Sequence, residues 1–126
     1  MWSGGPRSAP ALRFAAVTAH TETVFLVNPA SANGTAGRRW PELARRAISA
    51  YSEPGQLVVD PMCGIGTTLV EAIQLGRNAL GVELERRWAS LASANLARAR
   101  EQGARGRAGV LEGDARQLPR LLTRAG

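Results

Sequence analysis

The sequence predicts an α/β fold in which helices cover a parallel sheet. The first observation is the stretch from Gln56 to Glu83, which reads as a strand, a glycine loop, a helix and a second strand. This order is typical of a nucleotide-binding βαβ unit. The second observation is a further apolar run, Ala108 to Glu112, that follows a long alanine-rich helical stretch. With 126 residues, the chain is expected to form one small domain with a core of its own.

The predicted sheet has three regular strands and a less certain fourth. The regular strands are Leu57–Asp60, Ala79–Glu83 and Ala108–Glu112. The fourth is Thr23–Val27, a β-branched and apolar run that leads into a loop rich in Asn, Pro, Ser and Gly. Residues 1–22 are rich in Gly, Pro, Ser and Ala without periodicity, so we expect a flexible segment there and a folded domain over 23–126.

Four helices are predicted between and after these strands. The first runs from Trp40 to Tyr51, with Pro41 near its first position and an apolar stripe of Leu43, Ala47, Ile48 and Tyr51. The second covers 67–75 and ends at Gly76, the third covers 85–101, and a further helix begins at residue 118.

The glycine loop between the first two strands has the residues of a ligand-contacting turn. Gly64 and Gly66 permit positive φ and a close approach of the backbone to a ligand. Thr67 and Thr68 follow, and their hydroxyls are expected to cap the first turn of the next helix. The loop is therefore predicted to touch a bound molecule.

Two acids stand where neighbouring parallel strands end. Asp60 closes the first strand and Glu83 closes the second, and open α/β sheets bind their ligands at this edge. A carboxylate in the position of Glu83 can accept hydrogen bonds from both hydroxyls of a ribose. The pair predicts an adenosine-type cofactor.

Elimination narrows the choice of cofactor. After Gly64 and Gly66, the third glycine position of a dinucleotide fingerprint holds Leu69, and the lysine-free chain cannot supply a phosphate-loop lysine. An acidic loop mouth repels pyrophosphate but suits the sulfonium and the amino group of S-adenosylmethionine. The residues favour this methyl donor.

The stretch from Pro41 to Trp88 resembles the cofactor half of amino-methylating DNA methyltransferases. Their pattern runs approximately P-x-x-L, a Pro-Gly turn, D-P-F-x-G-x-G-T-T and G-R-x-x-x-G-x-E, which this chain matches in order. Met62 and Cys63 depart from the usual Phe and its neighbour, and DPMCG also occurs in RNA guanine methyltransferases. The resemblance fixes the family more firmly than the choice between DNA and RNA.

The resemblance implies a Rossmann-like methyltransferase fold of three layers, helices, sheet and helices, with the strand order 3-2-1-4-5-7-6. On this pattern the chain is expected to be truncated after the third strand. The resemblance also implies that Asp114 accepts from the adenine amino group and that Ala115 offers a backbone N–H. The implied cofactor-binding residues are Asp60, Pro61, Met62, Cys63, Gly64, Gly66, Thr67, Thr68, Glu83, Leu84, Asp114 and Ala115.

The catalytic motif of the resembling enzymes is [DNS]-P-P-[YFW] after an apolar strand, which orients and stacks a flipped base. Asn28 and Pro29 begin such a motif, but Ala30 and Ser31 replace its second proline and its aromatic residue, and the chain contains no Pro-Pro dipeptide. We interpret Asn28 as a turn residue; a catalytic role would require a circularly permuted order. No catalytic residue is therefore assigned, and the chain is predicted to be inactive alone.

The predicted function is the S-adenosylmethionine-binding portion of a DNA methyltransferase acting on N6 of adenine or N4 of cytosine. Two alternatives stay open. One is a fragment of an RNA guanine-N2 methyltransferase, which the DPMCG sequence permits. The other is a non-enzymatic cofactor-binding or partner module, which the missing motif permits.

The single cysteine and single histidine predict no metal site and no disulfide within the chain. Cys63 lies inside the cofactor loop, where a small packed thiol is a better interpretation than the nucleophile of pyrimidine C5 methylation. The net charge of +6 comes entirely from an excess of arginine and favours nucleic acid as a partner, which is DNA or, alternatively, RNA. A solvated arginine surface with the coding bias of a GC-rich genome explains the same composition.

The sequence shows no membrane span and no signal peptide, so a cytoplasmic location is expected. If the chain ends before a fourth strand, Leu57–Asp60 becomes an apolar sheet edge that invites pairing. Three outcomes are expected to satisfy this edge: docking of the strand at 23–27, a homodimer, or binding of a missing C-terminal half.

Overall fold

The computed structural model describes residues 24–25 and 35–125, with side chains described from residue 41 to residue 123. The strands are β1 (Val24–Phe25), β2 (Leu57–Asp60), β3 (Asn78–Glu83) and β4 (Ala108–Glu112). The helices are α1 (Thr35–Tyr51), α2 (Thr67–Gln74), α3 (Arg86–Glu101) and α4 (Leu118–Ala125), with a 3₁₀ turn at Ala115–Gln117 before the last. None of the helices in these ranges is long and apolar enough to cross a membrane.

The four strands form one parallel sheet in the order β1-β2-β3-β4. Val58 pairs with Val24 on one side and with Ala79 on the other, and Leu80 pairs with Gly109. Because all strands run in the same direction, their carboxyl ends meet at one edge of the sheet. The predicted α/β class and the three regular strands are confirmed.

Strand β1 covers the edge of β2 that the sequence left open. It pairs with Val58 and Val59 on the side of β2 that faces away from β3. In the strand order implied by the family, this is the position of the fourth strand. Of the three outcomes expected for the β2 edge, the docking of the N-terminal strand is the one observed within the chain.

Alternate residues of each strand face two different layers. Val58, Ala79 and Val110 belong to a buried cluster that also contains core residues of α1, α2 and α3. Val59 and Leu80 belong to a second cluster, packed with Leu118 and Leu122 of α4. This alternation is expected of parallel strands covered on both faces, and it confirms three layers.

Two local predictions are wrong. Helix α1 begins at Thr35 rather than at Trp40, so Pro41 lies inside the helix, where it removes one backbone donor. The threonine cap of α2 is absent, because Gly66 occupies the N-cap position with φ 88° and no side chain caps the helix. The end of α2 follows the prediction, with Gly76 at φ 77°.

The opposite, amino edge of the sheet is closed by a buried arginine. Arg77 donates to the Ser52 hydroxyl at 3.0 Å, to the Ser52 carbonyl at 2.6 Å and to the Leu75 carbonyl at 2.8 Å. A Cβ on Gly106 would lie 1.8 Å from the Arg77 carbonyl oxygen, so the backbone crosses here at a distance that only glycine permits.

Candidate functional site

The loops that follow β2, β3 and β4 surround a cleft of about 140 Å³ at the carboxyl edge. Its walls are Pro61, Met62, Glu83, Leu84, Gly113, Asp114 and Ala115. The structure thus brings together six of the predicted cofactor-binding residues and adds Gly113. Gly113 directly precedes Asp114, and this adjacency is the feature of the sequence that could have indicated it.

Asp60 lies beneath this cleft rather than in its wall. It is 1% exposed, and its Oδ1 accepts the Met62 N–H at 3.1 Å. Burial, with a smaller contribution from the nearby charge of Glu83, raises the pKa of the Asp60 carboxyl to about 6, against the lowering effects of the Met62 N–H and the Thr68 hydroxyl. A buried carboxylate without a cationic partner is a costly group that a bound cation would stabilise.

The Thr68 hydroxyl, close to Asp60 in the fold, is a buried polar group without a hydrogen-bond partner among the described residues. Thr68 is 1% exposed, and its Oγ1 meets no partner in hydrogen-bond geometry. The hydroxyl lowers the pKa of Asp60. A buried hydroxyl without a partner next to the cleft fits a site whose ligand or water completes its contacts.

Glu83 ties the loops of the site together. Its Oε1 accepts the Gly64 N–H at 3.1 Å, and its Oε2 accepts the Glu85 N–H at 2.8 Å. Each carboxylate oxygen can accept more than one hydrogen bond, so both remain available to ligand hydroxyls. Glu83 therefore has a structural role in addition to the predicted ligand role.

The glycine loop has the conformation that the sequence predicted. Gly64 has φ 53° and Gly66 has φ 88°, both in the left-handed region. A Cβ on Gly66 would lie 3.1 Å from the Cβ of Ala92, whereas a Cβ on Gly64 would meet nothing within 4 Å. Gly66 is thus required by both φ and packing against α3, and it supports the loop without lining the cleft.

Cys63 is a packed thiol. It is 6% exposed, its N–H donates to the Val82 carbonyl at 2.9 Å, and burial raises the pKa of its thiol to about 12, with contributions from Asp60 and Glu83. A thiol of this kind stays protonated at neutral pH and is a poor nucleophile. This environment favours the packed interpretation over a C5-methylation nucleophile.

Asp114 lies in the cleft wall, but its carboxylate is already engaged. It accepts the Arg116 N–H at 2.9 Å, and its Oδ2 lies 2.6 Å from Nη2 of the same arginine. These hydrogen bonds and the arginine charge lower the pKa of Asp114 to about 2. Arg116 was not anticipated from the sequence, because its two-residue spacing from Asp114 gives no signal without the 3₁₀ turn.

A larger groove of about 270 Å³ lies between the three helices on one face of the sheet. Among the predicted residues only Thr67 lines it, and its polar centre is Glu71, which Arg45 contacts at 3.1 Å. The groove lacks the strand-end acids, so the smaller cleft is the candidate site. Among residues 24–25 and 35–125, no group of His, Cys, Asp or Glu could hold a metal ion. Asn28 lies outside these residues.

Comparison with known proteins adds a family to this geometry. Residues 39–94, which hold β2, α2, β3 and the glycine loop, match the family described as DNA methylase. Residues 39–94 therefore belong to the DNA methylase family, and we call them the methylase segment. The predicted resemblance to amino-methylating DNA methyltransferases is confirmed, and the family named is one of DNA rather than RNA enzymes.

Individual relatives agree with the family of the methylase segment. The chain is 42% identical over 55 residues to the type II methyltransferase M.MthZI of Methanothermobacter thermautotrophicus, covering 44% of this chain and 16% of the relative. It is 38% identical over 79 residues to M.SmaI of Serratia marcescens, covering 62% of this chain and 27% of the relative.

A solved structure extends the likeness to three dimensions. A putative DNA modification methylase from Thermus thermophilus, complexed with S-adenosyl-L-methionine, matches with a TM-score of 0.50 and 44% identity. The match covers 58% of this chain and 29% of that chain. The methylase segment therefore has the fold of these enzymes, and the chain spans less than a third of the length of each of the three relatives.

Proposed function

We propose that the chain is the S-adenosylmethionine-binding portion of a DNA amino-methyltransferase, whose target is N6 of adenine or N4 of cytosine. The observation that carries this proposal is the cleft at the carboxyl edge, where Glu83 and Asp114 form the walls and Asp60 lies beneath. The solved Thermus relative, which holds this cofactor, supports it.

Glu83 is proposed to bind the ribose, and the apolar walls of the cleft the adenine. Met62 is 60% exposed and Leu84 is 67% exposed, which is unusual for large apolar side chains and suits contact with a flat ring. Asp114 is proposed to accept from the adenine amino group through a lone pair that Arg116 leaves free. Ala115 offers the neighbouring backbone N–H.

The charge around the loop suits a cationic ligand. Asp60 and Glu83 are both acids, and among the described residues neither forms an ion pair with a basic side chain. A sulfonium or an ammonium group above the buried Asp60 would favour its ionised form. The cleft of about 140 Å³ is smaller than the roughly 300 Å³ of ordinary ligand pockets, so it accommodates the adenosine part, and the methionine part extends over the glycine loop.

When bound, the cofactor supplies a methyl group on a positively charged sulfur. The residues of this chain are proposed to bind and orient that group and to carry no catalytic step themselves. No Pro-Pro dipeptide occurs in the 126 residues, so the motif that presents the target amine in the resembling enzymes is absent from them. We propose methyl transfer and DNA binding for the whole enzyme of which this chain is a portion, and a cytoplasmic location for both.

Replacing Glu83 tests the proposed site. Glu83→Ala removes the acceptors for two ribose hydroxyls, and hydrogen bonds to a charged group contribute about 1.5 to 3 kcal/mol each. We expect the affinity for S-adenosylmethionine, measured by calorimetric titration, to fall by about tenfold or more. Glu83→Gln keeps one oxygen and is expected to lose less.

The same experiment needs a control for the structural role of Glu83. Glu83 also holds the Gly64 N–H, so thermal melting of each variant must show that the loop remains folded. Leu91→Ala is a matched control on the exposed part of α3, away from the cleft lining, and should bind the cofactor as the wild type does. Equal affinity of the wild type and Glu83→Ala would remove the ribose assignment.

The proposal also predicts that the 126-residue chain does not methylate nucleic acid. Incorporation of tritiated methyl groups into mixed DNA and RNA oligonucleotides should stay at the background level. The position of β1 beside β2, which the fourth strand takes in the family order, favours one alternative, a permuted arrangement that uses Asn28. Incorporation by the wild type that is lost in Asn28→Ala would establish this arrangement and refute the prediction.

A non-enzymatic role as a cofactor-binding partner module is the second candidate. The absence of a Pro-Pro dipeptide favours it over an independent enzyme. The two roles differ in one measurement: adding the rest of a methyltransferase should restore methylation in the first case and have no effect in the second.

A further inference from the structure

Arginines are unevenly distributed over the described part of the domain. Residues 98–107, which include the last turn of α3 and the loop that leads into β4, hold four arginines and one acid, Glu101. This segment therefore carries three of the six excess positive charges of the chain. The four arginines are all exposed, and together we call them the arginine corner: Arg98, Arg100, Arg105 and Arg107.

The arginine corner differs from other arginines of the domain because it lacks acidic partners. At the start of α3, the Arg86 Nε lies 3.4 Å from Oε2 of Glu112, and beside the cofactor cleft the Arg116 Nη2 lies 2.6 Å from Oδ2 of Asp114. In the part of the chain that the structure describes, neither the arginine corner nor Glu101 takes part in an ion pair. The positive charge of the corner is thus not neutralised inside the domain.

The backbone of the loop that carries the second half of the corner is firmly held. The Gly106 N–H donates to the Ile73 carbonyl at 3.1 Å, and the Arg107 N–H donates to Oδ1 of Asn78 at 3.1 Å. The Arg107 carbonyl accepts the Ala79 N–H at 2.8 Å. A partner that binds the corner therefore has to order the arginine side chains but not the backbone beneath them, which lowers the entropic cost of binding.

The end of α3 accounts for only half of the corner. Basic side chains in the last turn of a helix interact favourably with the partial negative charge of its C-terminus, and Arg98 and Arg100 lie in that turn. Arg105 and Arg107 follow the helix and bring further positive charge to the same corner, which like-charge repulsion opposes. An anionic partner would offset this repulsion.

One arginine connects the corner to the larger groove between the helices. Arg98 lines that groove together with three amide side chains, those of Gln74, Asn95 and Gln102. Arginine and amide side chains are donors that proteins use on the phosphate and sugar oxygens of nucleic acids. The one acid among the lining residues, Glu71, is already paired with Arg45 at 3.1 Å. The groove therefore extends the cationic surface with neutral hydrogen-bond donors.

We propose that the arginine corner binds the phosphate backbone of duplex DNA at the amino edge of the sheet, away from the cofactor cleft. A guanidinium group can bind a phosphate through two parallel hydrogen bonds, and its charge is permanent. Four unpaired charges within one short segment suit the repeated phosphates of a polyanion better than a single anion. Such contacts hold DNA without reading its sequence. The choice of DNA rests on the proposed function, and the DNA held here would flank the target base.

The salt dependence of DNA binding tests the proposal. Fluorescence anisotropy of a labelled duplex of arbitrary sequence gives the Kd of the full chain between about 0.05 and 0.2 M salt. Each phosphate contact contributes about 0.9 to the slope of log Kd against log salt concentration. Arg105→Gln and Arg107→Gln should each lower this slope by about 1 and weaken binding by about five- to tenfold at about 0.1 M salt.

Two further variants separate the corner from the general charge of the chain. Arg46→Gln removes the same charge from an exposed arginine of α1 that pairs with Glu42, and it should leave the slope unchanged. Glu101→Gln removes the acid of the corner segment and should strengthen binding by about twofold at about 0.1 M salt. Thermal melting of each variant checks that the fold is kept. An equal loss of slope in Arg46→Gln and Arg105→Gln would overturn the proposal.

Other anionic partners are distinguished by two parallel titrations, one with duplex RNA of the same sequence and one with vesicles of phosphatidylserine and phosphatidylcholine. Equal affinity for duplex DNA and duplex RNA agrees with contacts to the backbone alone. Binding to the RNA or to the vesicles that is about tenfold or more tighter than binding to DNA would overturn the choice of DNA.

The test is separate from that of the proposed function. The arginine corner lies outside the cofactor cleft, so Arg105→Gln should keep the wild-type affinity for S-adenosylmethionine in calorimetric titration. Normal DNA binding without cofactor binding would refute the proposed cofactor site alone. Normal cofactor binding, together with a wild-type salt slope in a variant that combines Arg100→Gln, Arg105→Gln and Arg107→Gln, would refute the role of the arginine corner alone.

Discussion

The loops after β2 and β4 each place an aspartate at the same edge of the sheet, yet the two carboxyls have opposite environments. Asp60 is 1% exposed and its pKa is raised to about 6. Asp114 lies at the surface, and Arg116 lowers its pKa to about 2. Burial in the interior sets the pKa of Asp60, whereas an ion pair with Arg116 sets the pKa of Asp114.

The two aspartates show that the position of an acid at a strand end does not determine its pKa. Both aspartates follow or close a strand, and the sequence assigns both to the cofactor. The pKa of each is decided by what surrounds it, burial in one case and an arginine in the other. Asp60 therefore titrates near pH 6, where a bound cation would favour its ionised form, whereas Asp114 becomes protonated only in strong acid.

The largest expected effect concerns the pH dependence of stability. The pKa of Asp60 is raised from 3.8 to about 6, so the folded state binds more protons than the unfolded state between these values. The free energy of unfolding should therefore fall as the pH rises from about 4 to about 6, by up to about 3 kcal/mol. Urea unfolding at a series of pH values measures this slope.

Asp60→Asn is the matched variant for that series. It keeps the shape of the side chain and removes the titration, so the difference between wild type and variant isolates Asp60 from the other acids. The stability of Asp60→Asn should show no decline over this window beyond that of the remaining groups. Parallel curves for the two proteins would mean that Asp60 is not shifted upward.

The second effect compares a glycine from each loop. Gly66→Ala forces a Cβ into the left-handed region and to 3.3 Å from the Cα of Ala92, and we expect a loss of about 2 kcal/mol. Gly113→Ala meets only the methyl ends of Leu121, at 3.0 and 3.2 Å, and should lose less than about 1 kcal/mol because that side chain can move.

Denaturant unfolding of both variants ranks the two loops. Gly64→Ala, whose Cβ would enter open space, is the control for φ alone. Equal losses in Gly66→Ala and Gly64→Ala would show that packing against Ala92 contributes nothing.

The smallest effect concerns the second loop. Arg116→Gln removes the cation beside Asp114, and the pKa of Asp114 should rise from about 2 toward its ordinary value of 3.8. Because a lowered pKa stabilises the fold only above it, the wild type should lose this contribution as the pH falls from about 4 to about 2. A carboxyl titration by NMR follows the shift directly, and an unchanged pKa in Arg116→Gln would refute the role of the arginine.

The strands and the glycine loop could be predicted because their signals are local. The run Leu57 to Asp60 and the pattern Gly64-x-Gly66 contain in themselves the residues that determine strand and turn. Burial of an acid is not local: the pKa of Asp60 depends on Thr68 and Glu83 as well as on its own strand. The sequence therefore predicted which strand ends and loops meet at the carboxyl edge of the sheet, but not how the acids there are charged.

Helix α1 shows a second limit. Pro41 is typical of a helix start, and the sequence placed the start beside it, but the helix continues back to Thr35. The predicted apolar stripe was also only half right, since Ile48 is buried and Leu43 and Tyr51 are exposed. Hydrophobic periodicity identifies apolar residues on a helix, but only the packing of α1 against α2 decides which of them enter the core.

The buried guanidinium of Arg77 has a consequence for the order in which the domain opens. It joins Ser52, just after α1, to Leu75, at the end of α2, through three hydrogen bonds. Neither helix end can fray without leaving a buried cation unsatisfied, so the two ends open together or not at all. The amino edge is in this way one cooperative unit of local unfolding.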